Sequence, residues 1–97
     1  MSLKVMTLVW QSSPLTGAGL LVELALADFS DDSGTCWPSV HTLARKARCS
    51  DRQVQRTLDQ LVRLGRLRRQ ERPRARGDNL TSLYQFLLTP EQLELGV

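Results

Sequence analysis

The sequence predicts a mainly α-helical fold with a small β-hairpin, an α+β arrangement. Two observations predict the helices: an apolar stripe at helical spacing over residues 40–47, and a helix-capping signature that begins at Ser50. The third observation is an apolar and aromatic stretch at 80–88, which has the length of a strand and follows a turn-prone loop. Because 97 residues suit a single hydrophobic core, we expect one domain over residues 1–97 with its core at 16–88.

The N-terminal third is expected to contain a buried helix. Residues 3–10 are apolar without a clean period, so they fit either a strand or a helix, and a helix fits slightly better. Thr16 can cap a helix over 19–29, which is apolar nearly all round and should be buried. The polar cluster 30–34 then favours a turn, and residues 35–37 favour a short extended piece.

A helix-turn-helix is predicted next, over residues 39–65. In the capping box at its centre, Ser50 accepts from the backbone and Gln53 reciprocates, which starts a helix of about fourteen residues that ends at Gly65. Because two caps cannot belong to one helix, a turn is expected around residues 48–49. The apolar stripe of the helix before that turn consists of Val40, Leu43, Ala44 and Ala47.

The second helix of this motif separates its side chains by angle. At ~100° per residue, Leu58 and Leu61 fall within ~40° of Val54, so these three should face the core. The opposite side is mostly arginine with flanking glutamines, which are side chains that hydrogen-bond base edges in the major groove of DNA. Arg63 also lies four residues from Asp59, a spacing that allows a weak surface ion pair. The polar side consists of Arg52, Arg56, Asp59 and Arg63, with Gln53, Gln55 and Gln60 on its flanks.

A basic hairpin is predicted after the helix-turn-helix, over residues 66–88. Residues 66–72 show no helical stripe and are followed by Pro73, and 74–79 is a turn-prone loop with two more arginines. The apolar stretch 80–88 then supplies the second strand. We therefore expect positive charge at the tip of the hairpin.

Charge is distributed very unevenly along the chain. The net charge is +3, but residues 45–76 hold twelve basic and three acidic residues, whereas the rest holds one lysine and seven acids. The two parts therefore carry +9 and −6. Because so dense a positive field opposes folding through self-repulsion, a polyanionic partner such as nucleic acid is expected. Eleven of the 13 basic residues are arginine, whose planar group matches phosphates and guanine edges bidentately.

The aromatic side chains are assigned to packing and not to base stacking. Trp37, beside Pro38, and Trp10 are expected to pack in the core or to staple a helix. Tyr84 and Phe86 are expected to cover the helices from the hairpin.

Several other classes of protein are not expected. No apolar stretch approaches the ~20 residues of a membrane span and the N-terminus lacks a secretory signal, so we expect a cytoplasmic protein without a membrane partner. Cys36, His41 and Cys49 are too widely spaced for a structural zinc site, and the acids of 28–32 lack the ligand order of a calcium loop. We therefore expect no metal, cofactor or small-molecule ligand, and no enzyme, because no catalytic constellation is present.

Part of the sequence resembles a known family. The pattern comprises Cys36-Trp37-Pro38-Ser39, Leu43-Ala44, Ser50-x-Arg52-x-Val54-Gln55-Arg56-x-Leu58-x-x-Leu61 and Gly65-x-Leu67. It is similar to the winged helix-turn-helix domains of phage and plasmid replication initiators and of small phage-associated or bacterial DNA-binding proteins, over residues 16–88. The resemblance implies that the helix opened by Ser50 enters the major groove, and that the hairpin, or wing, lies along the backbone or minor groove. The family often has glycine where this chain has Arg48, so a positive φ there would be strained.

The resemblance and the charge pattern together imply a set of DNA contacts. Four side chains at the start of the second helix are expected to read bases, and the others bind the DNA backbone from the helix-turn-helix and the wing. The expected base contacts are Arg52, Gln53, Gln55 and Arg56. The expected backbone contacts are Ser39, His41, Arg45, Lys46, Ser50, Arg63, Arg68, Arg72, Arg74 and Arg76, with Arg45 and Lys46 as phosphate clamps.

The expected function is sequence-specific binding of double-stranded DNA by a transcriptional regulator, a repressor, of phage or bacterial origin. The origin-binding domain of a replication initiator is an alternative, although such proteins usually continue into a further domain and this chain stops at Val97. A protein-interaction module is the alternative of another class, since acidic partners would also suit the positive segment. We expect a homodimer on a palindromic site, with residues 3–10 and 93–97 as candidate contact surfaces.

Overall fold

Four helices and three short strands form the part of the chain that the computed structural model describes, residues 2–70 and 82–87. The helices are α1 (Leu3–Ser12), α2 (Gly17–Phe29), α3 (Val40–Ala47) and α4 (Asp51–Arg63). The strands are β1 (Thr35–Cys36), β2 (Leu67–Gln70) and β3 (Leu83–Phe86). The mainly α-helical fold with a small antiparallel sheet is therefore confirmed.

The N-terminal segment is helical, which confirms the slight preference for a helix there. Ser2 caps α1, because its hydroxyl oxygen accepts from the N–H of Val5 at 3.2 Å. The same hydroxyl donates to Oδ1 of Asp32 at 3.0 Å, which ties the start of α1 to the turn after α2. That turn lies where it was predicted, and Oδ1 of Asp31 accepts from the N–H groups of Ser33 and Thr35. The hydrogen bond from the Ser33 hydroxyl, followed by those from the backbone, lowers the pKa of Asp31.

The second helix, α2, is the buried centre of the fold, as predicted. It begins at Gly17, two residues before the expected start at Gly19, and Thr16 occupies the N-cap position without making the expected side-chain cap bond. α2 packs against α1, α3 and α4, so little of its surface meets water. Its buried residues are Gly19, Val22, Glu23, Leu24, Ala25, Leu26 and Ala27.

The three strands form one antiparallel sheet in the order β1-β3-β2. β2 and β3 pair as the predicted hairpin strands, with Leu67 opposite Phe86 and Arg69 opposite Tyr84. The expected tip of the hairpin falls within residues 71–81, which lie outside the described residues. The extended piece predicted before α3 is present as β1, and its pairing with β3 adds an edge strand that was not predicted.

Two of the four aromatic predictions are confirmed and two are wrong. Tyr84 and Phe86 are buried against the helices, as expected. Trp37 and Trp10 are 54% and 64% exposed, although both were assigned to packing. Trp37 points outward because successive side chains of an extended chain alternate, and its neighbour Cys36 takes the inward position. Trp10 lies on the outer side of α1, whose inner side is occupied by smaller apolar residues.

Candidate nucleic-acid interface

The helix-turn-helix is built by two serine caps. The hydroxyl of Ser39 accepts from the N–H of Thr42 at 3.0 Å at the start of α3, and that of Ser50 accepts from the N–H of Gln53 at 3.1 Å at the start of α4. The second half of the predicted capping box is not formed. The side-chain amide of Gln53 donates instead to the hydroxyl of Thr57 at 3.0 Å, one helical turn further on.

The turn between the two helices contains a left-handed residue. Arg48 has φ 57° and ψ 50°, and within residues 2–70 and 82–87 it is the one non-glycine residue with positive φ. Its N–H and that of Cys49 both donate to the carbonyl of Ala44, which closes α3. A side chain in this conformation costs ~1 kcal/mol, so the strain expected at this position is present.

The two faces of α4 carry different chemistry, as predicted. Its inner face holds a buried apolar row, and its outer face exposes Arg52, Gln55 and Arg56. Gln53, the fourth expected base contact, is half-buried and bonded to the fully buried Thr57. Thr57 was not singled out from the sequence, although its spacing of three residues from Val54 is a core signal.

Three cations of residues 45–70 have acidic partners. Nζ of Lys46 pairs with the carboxylate of Asp28 and lies 5.1 Å from the ring centre of Phe29, so this expected phosphate clamp has an intramolecular partner. Arg69 pairs with Asp59 at 3.8 Å, in place of the predicted Asp59–Arg63 pair. The third pair is Arg66–Glu23.

The pair between Glu23 and Arg66 is the most deeply buried of these. Glu23 is 0% exposed, and one carboxylate oxygen accepts from Nε of Arg66 at 2.8 Å while the other accepts from the Ser13 hydroxyl. The guanidinium also donates to the carbonyl and hydroxyl oxygens of Ser12 at 3.3 and 3.2 Å. The pair therefore ties the start of the predicted wing to the junction of α1 and α2. The sequence analysis did not predict this ion pair, although Glu23 is an acidic residue in the middle of a largely apolar helix and so indicated a buried charge that needs a partner.

The remaining cations form the candidate interface. Six exposed arginines make no ion pair within the described part of the chain, and we call them the exposed arginine set. Five were predicted as DNA contacts, and Arg48 was not. The exposed arginine set consists of Arg45, Arg48, Arg52, Arg56, Arg63 and Arg68.

The other predicted backbone contacts are placed differently. The hydroxyls of Ser39 and Ser50 serve as helix caps, and exposed His41 lies 3.6 Å from the carboxylate of Asp51. The expected wing contacts at Arg72, Arg74 and Arg76 lie outside the described residues.

The first wing strand separates its two central arginines. Arg69 lies opposite Tyr84, and its guanidinium is 5.8 Å from the centre of that ring, so it covers the core side of the sheet. Arg68 lies opposite Gln85 on the other face. Of the two, Arg68 is therefore the one that faces away from the helices.

A family of helix-turn-helix domains matches residues 14–67 of this chain, from just before α2 to the first residue of β2. The chain belongs to this family. Helix-turn-helix domains indicate DNA binding, in agreement with the polar face of α4. The chain is also 33% identical over 82 residues to Protein YmfN of Escherichia coli strain K12. That match covers 81% of this chain but 18% of YmfN, so the chain spans less than a fifth of that relative. No solved structure matches the chain.

The described part of this helix-turn-helix protein was also compared with what a metal site, a reactive thiol or a membrane span would need. Among residues 2–70 and 82–87, no group of three histidine, cysteine or acidic side chains could hold a metal ion. Cys36 is buried, and its burial raises the pKa of the thiol to about 11, so it is protonated at neutral pH. None of the helices described is both long enough and apolar enough to cross a membrane.

Proposed function

We propose that this helix-turn-helix protein binds a specific double-stranded DNA sequence and represses transcription by occupying a promoter. The observation that carries the proposal is the outer face of α4, where Arg52, Gln55 and Arg56 are exposed while the opposite face is packed in the core. Arginine recognises guanine and glutamine recognises adenine through paired hydrogen bonds in the major groove. In this proposal the protein needs no cofactor and catalyses no reaction.

Affinity and specificity come from different residues in this mechanism. Three exposed arginines outside the base-reading face, Arg45, Arg63 and Arg68, neutralise phosphates and release counterions, so these contacts would give a slope of log K against log salt of about −3. The base contacts from α4 add about 1 to 3 kcal/mol of discrimination each. The caps at Ser39 and Ser50 support both by holding α3 and α4 in register.

A second copy of the chain is the proposed partner on DNA, because a single small module buries too little surface to be highly selective. Leu3 and Trp10 lie seven residues apart on one side of α1 and are 71% and 64% exposed. Lys4 is the one charged residue of α1, so two copies could meet there without the repulsion that the exposed arginine set would cause. In sedimentation equilibrium the wild-type protein should be a dimer, and the double variant Leu3→Ser with Trp10→Ser should be a monomer. The control Trp37→Ser should remain a dimer. A wild-type protein that binds its site as a monomer would contradict this part.

The test of DNA recognition is selection of bound duplexes from a random pool. The affinity for the winning duplex is then compared with that for a scrambled duplex at several salt concentrations. Wild type should show a large ratio of these two affinities. Arg52→Ala with Arg56→Ala should lower that ratio by about 30-fold or more, since two base contacts are lost. The matched control, Arg52→Lys with Arg56→Lys, keeps the charge, so its affinity for scrambled DNA should equal that of wild type. Its ratio of selected to scrambled affinity should still fall, because lysine does not reproduce the paired hydrogen bonds of arginine.

The outcomes separate the possible functions. No enrichment, with equal and salt-dependent binding to all duplexes, would refute sequence specificity. No binding to any duplex would refute the proposal and favour the protein-interaction module. If a sequence is enriched and occurs in a promoter, the result supports repression. If it occurs in a replication origin, the result supports the initiator alternative.

A further inference from the structure

We infer that Arg48, in the turn between α3 and α4, binds a DNA phosphate. The inference rests on the proposed DNA binding and adds a contact that neither the sequence pattern nor the family match assigns. Its starting point is the left-handed backbone of this residue, with φ 57° and ψ 50°. Strained residues of this kind cluster at functional sites, although glycine is the usual residue at a left-handed helix end.

No described residue compensates for the arginine at this position. The bonds that close the turn, from the N–H groups of Arg48 and Cys49 to the carbonyl of Ala44, use only main-chain atoms. The side chain is exposed and makes no ion pair with any described residue. Glycine would make the same turn without strain. The arginine therefore adds strain to the turn, and its positive charge has no acidic partner within residues 2–70 and 82–87.

The position of Arg48 puts this charge beside the predicted reading helix. Arg48 lies three positions after Arg45 and four positions before Arg52, so chain length limits the distance from its Cα to the Cα of either residue to about 15 Å. Nδ1 of His41 lies 3.6 Å from the carboxylate of Asp51, which brings the exposed side of α3 next to the start of α4. The turn is therefore bordered on both sides by exposed arginines of the same motif.

A phosphate fits this site better than a base does. Arg48 lies in the turn between the helices and not on the outer face of α4, where the predicted base contacts Arg52 and Arg56 are exposed. A phosphate accepts from many directions, and the duplex presents one negative charge per ~1.7 Å of its axis. Arg48 should therefore contribute affinity that is independent of sequence.

Arg48→Gly tests the inference, with Lys46→Gln as the matched control. Both changes remove one positive charge, but Lys46 is already paired with Asp28. We would measure the affinity of each protein for the selected and the scrambled duplex over a range of salt, and its thermal midpoint. At 0.1 M salt, Arg48→Gly should bind both duplexes about eight-fold more weakly, with the salt slope reduced by about 0.9. Its thermal midpoint should be unchanged or higher, because the strain is relieved. Lys46→Gln should keep the wild-type slope, and Arg48→Lys should keep most of the affinity.

The possible failures are distinguishable. A wild-type protein that binds neither duplex would defeat the proposed function and the inference together. A wild-type protein that binds, with Arg48→Gly binding equally well, would defeat the inference alone. A loss confined to the selected duplex would show that Arg48 reads a base, and an equal loss in Lys46→Gln would show that only net charge matters. Either result would overturn the phosphate contact.

Discussion

Removal of one member of the buried pair Glu23–Arg66 should destabilise the protein severely. Glu23 is 0% exposed and the side chain of Arg66 is 21% exposed, so Glu23→Leu would leave a largely buried guanidinium without its carboxylate. Breaking a buried pair costs about 3 to 5 kcal/mol, and the partial exposure of Arg66 favours the lower end, ~3 kcal/mol. Since small domains are stable by only about 5 to 15 kcal/mol, this is a large part of the free energy of unfolding.

The assay is a double-mutant cycle with Glu23→Leu, Arg66→Met and the double variant. Replacing both partners with apolar residues removes the unpaired charge, so the double variant should be more stable than the sum of the single losses predicts, by about 1.5 kcal/mol or more. Urea unfolding followed by circular dichroism gives the four free energies of unfolding. The control is Asp59→Ala, which breaks a 3.8 Å pair whose carboxylate is 65% exposed and should cost no more than about 0.5 kcal/mol.

Two results would refute this reasoning. The first is additivity, in which the double variant loses the sum of the two single losses. The second is a Glu23→Leu variant within about 0.5 kcal/mol of wild type, as in the control. Either would mean that the two buried side chains contribute to packing without depending on each other's charge.

Three further predictions concern caps, pH and the wing. Ser50→Ala should lower the free energy of unfolding by ~1 kcal/mol because it removes the cap bond to the backbone of α4. Thr16→Ala should lower it less, because Thr16 makes no cap bond. Equal losses of the two variants in urea unfolding would contradict this. Burial raises the pKa of the Cys36 thiol from 9.0 to about 11, so the unfolded chain loses this proton at a lower pH than the folded chain does. The free energy of unfolding should therefore fall by roughly 2 kcal/mol as pH rises from about 9 to about 11. Cys36→Ala should flatten that pH profile, and an unchanged profile would exclude Cys36 as the cause. Arg68→Ala should reduce the salt slope of DNA binding by about 0.9. Arg69→Ala should leave the slope unchanged, because Arg69 is already paired with Asp59. A reduced slope in Arg69→Ala and an unchanged slope in Arg68→Ala would mean that the wing presents its other face to DNA.

The sequence by itself determined the features that depend on neighbouring residues. The starts of α3 and α4 follow from Ser39 and Ser50, whose hydroxyls bond to the backbone three residues on. The inner and outer faces of α4 follow from helical spacing. Local hydrogen bonds and periodicity act within one or two helical turns, so they can be recognised in the sequence.

The tertiary structure alone decided which polar side chains are available to a partner. Sequence spacing gives no intramolecular partner for Arg66 or Lys46, but Arg66 bonds to Glu23, which is 43 residues away, and Lys46 pairs with Asp28 across two helices. Gln53 had been expected at the base-reading surface, but its amide bonds to Thr57 in the same helix, and the packing of α4 against the rest of the fold buries Thr57 completely. The two ion pairs form because α2 packs against α3 and α4 and the hairpin follows α4. A long-range ion pair forms only where packing brings its two charges together, and sequence spacing does not carry that information.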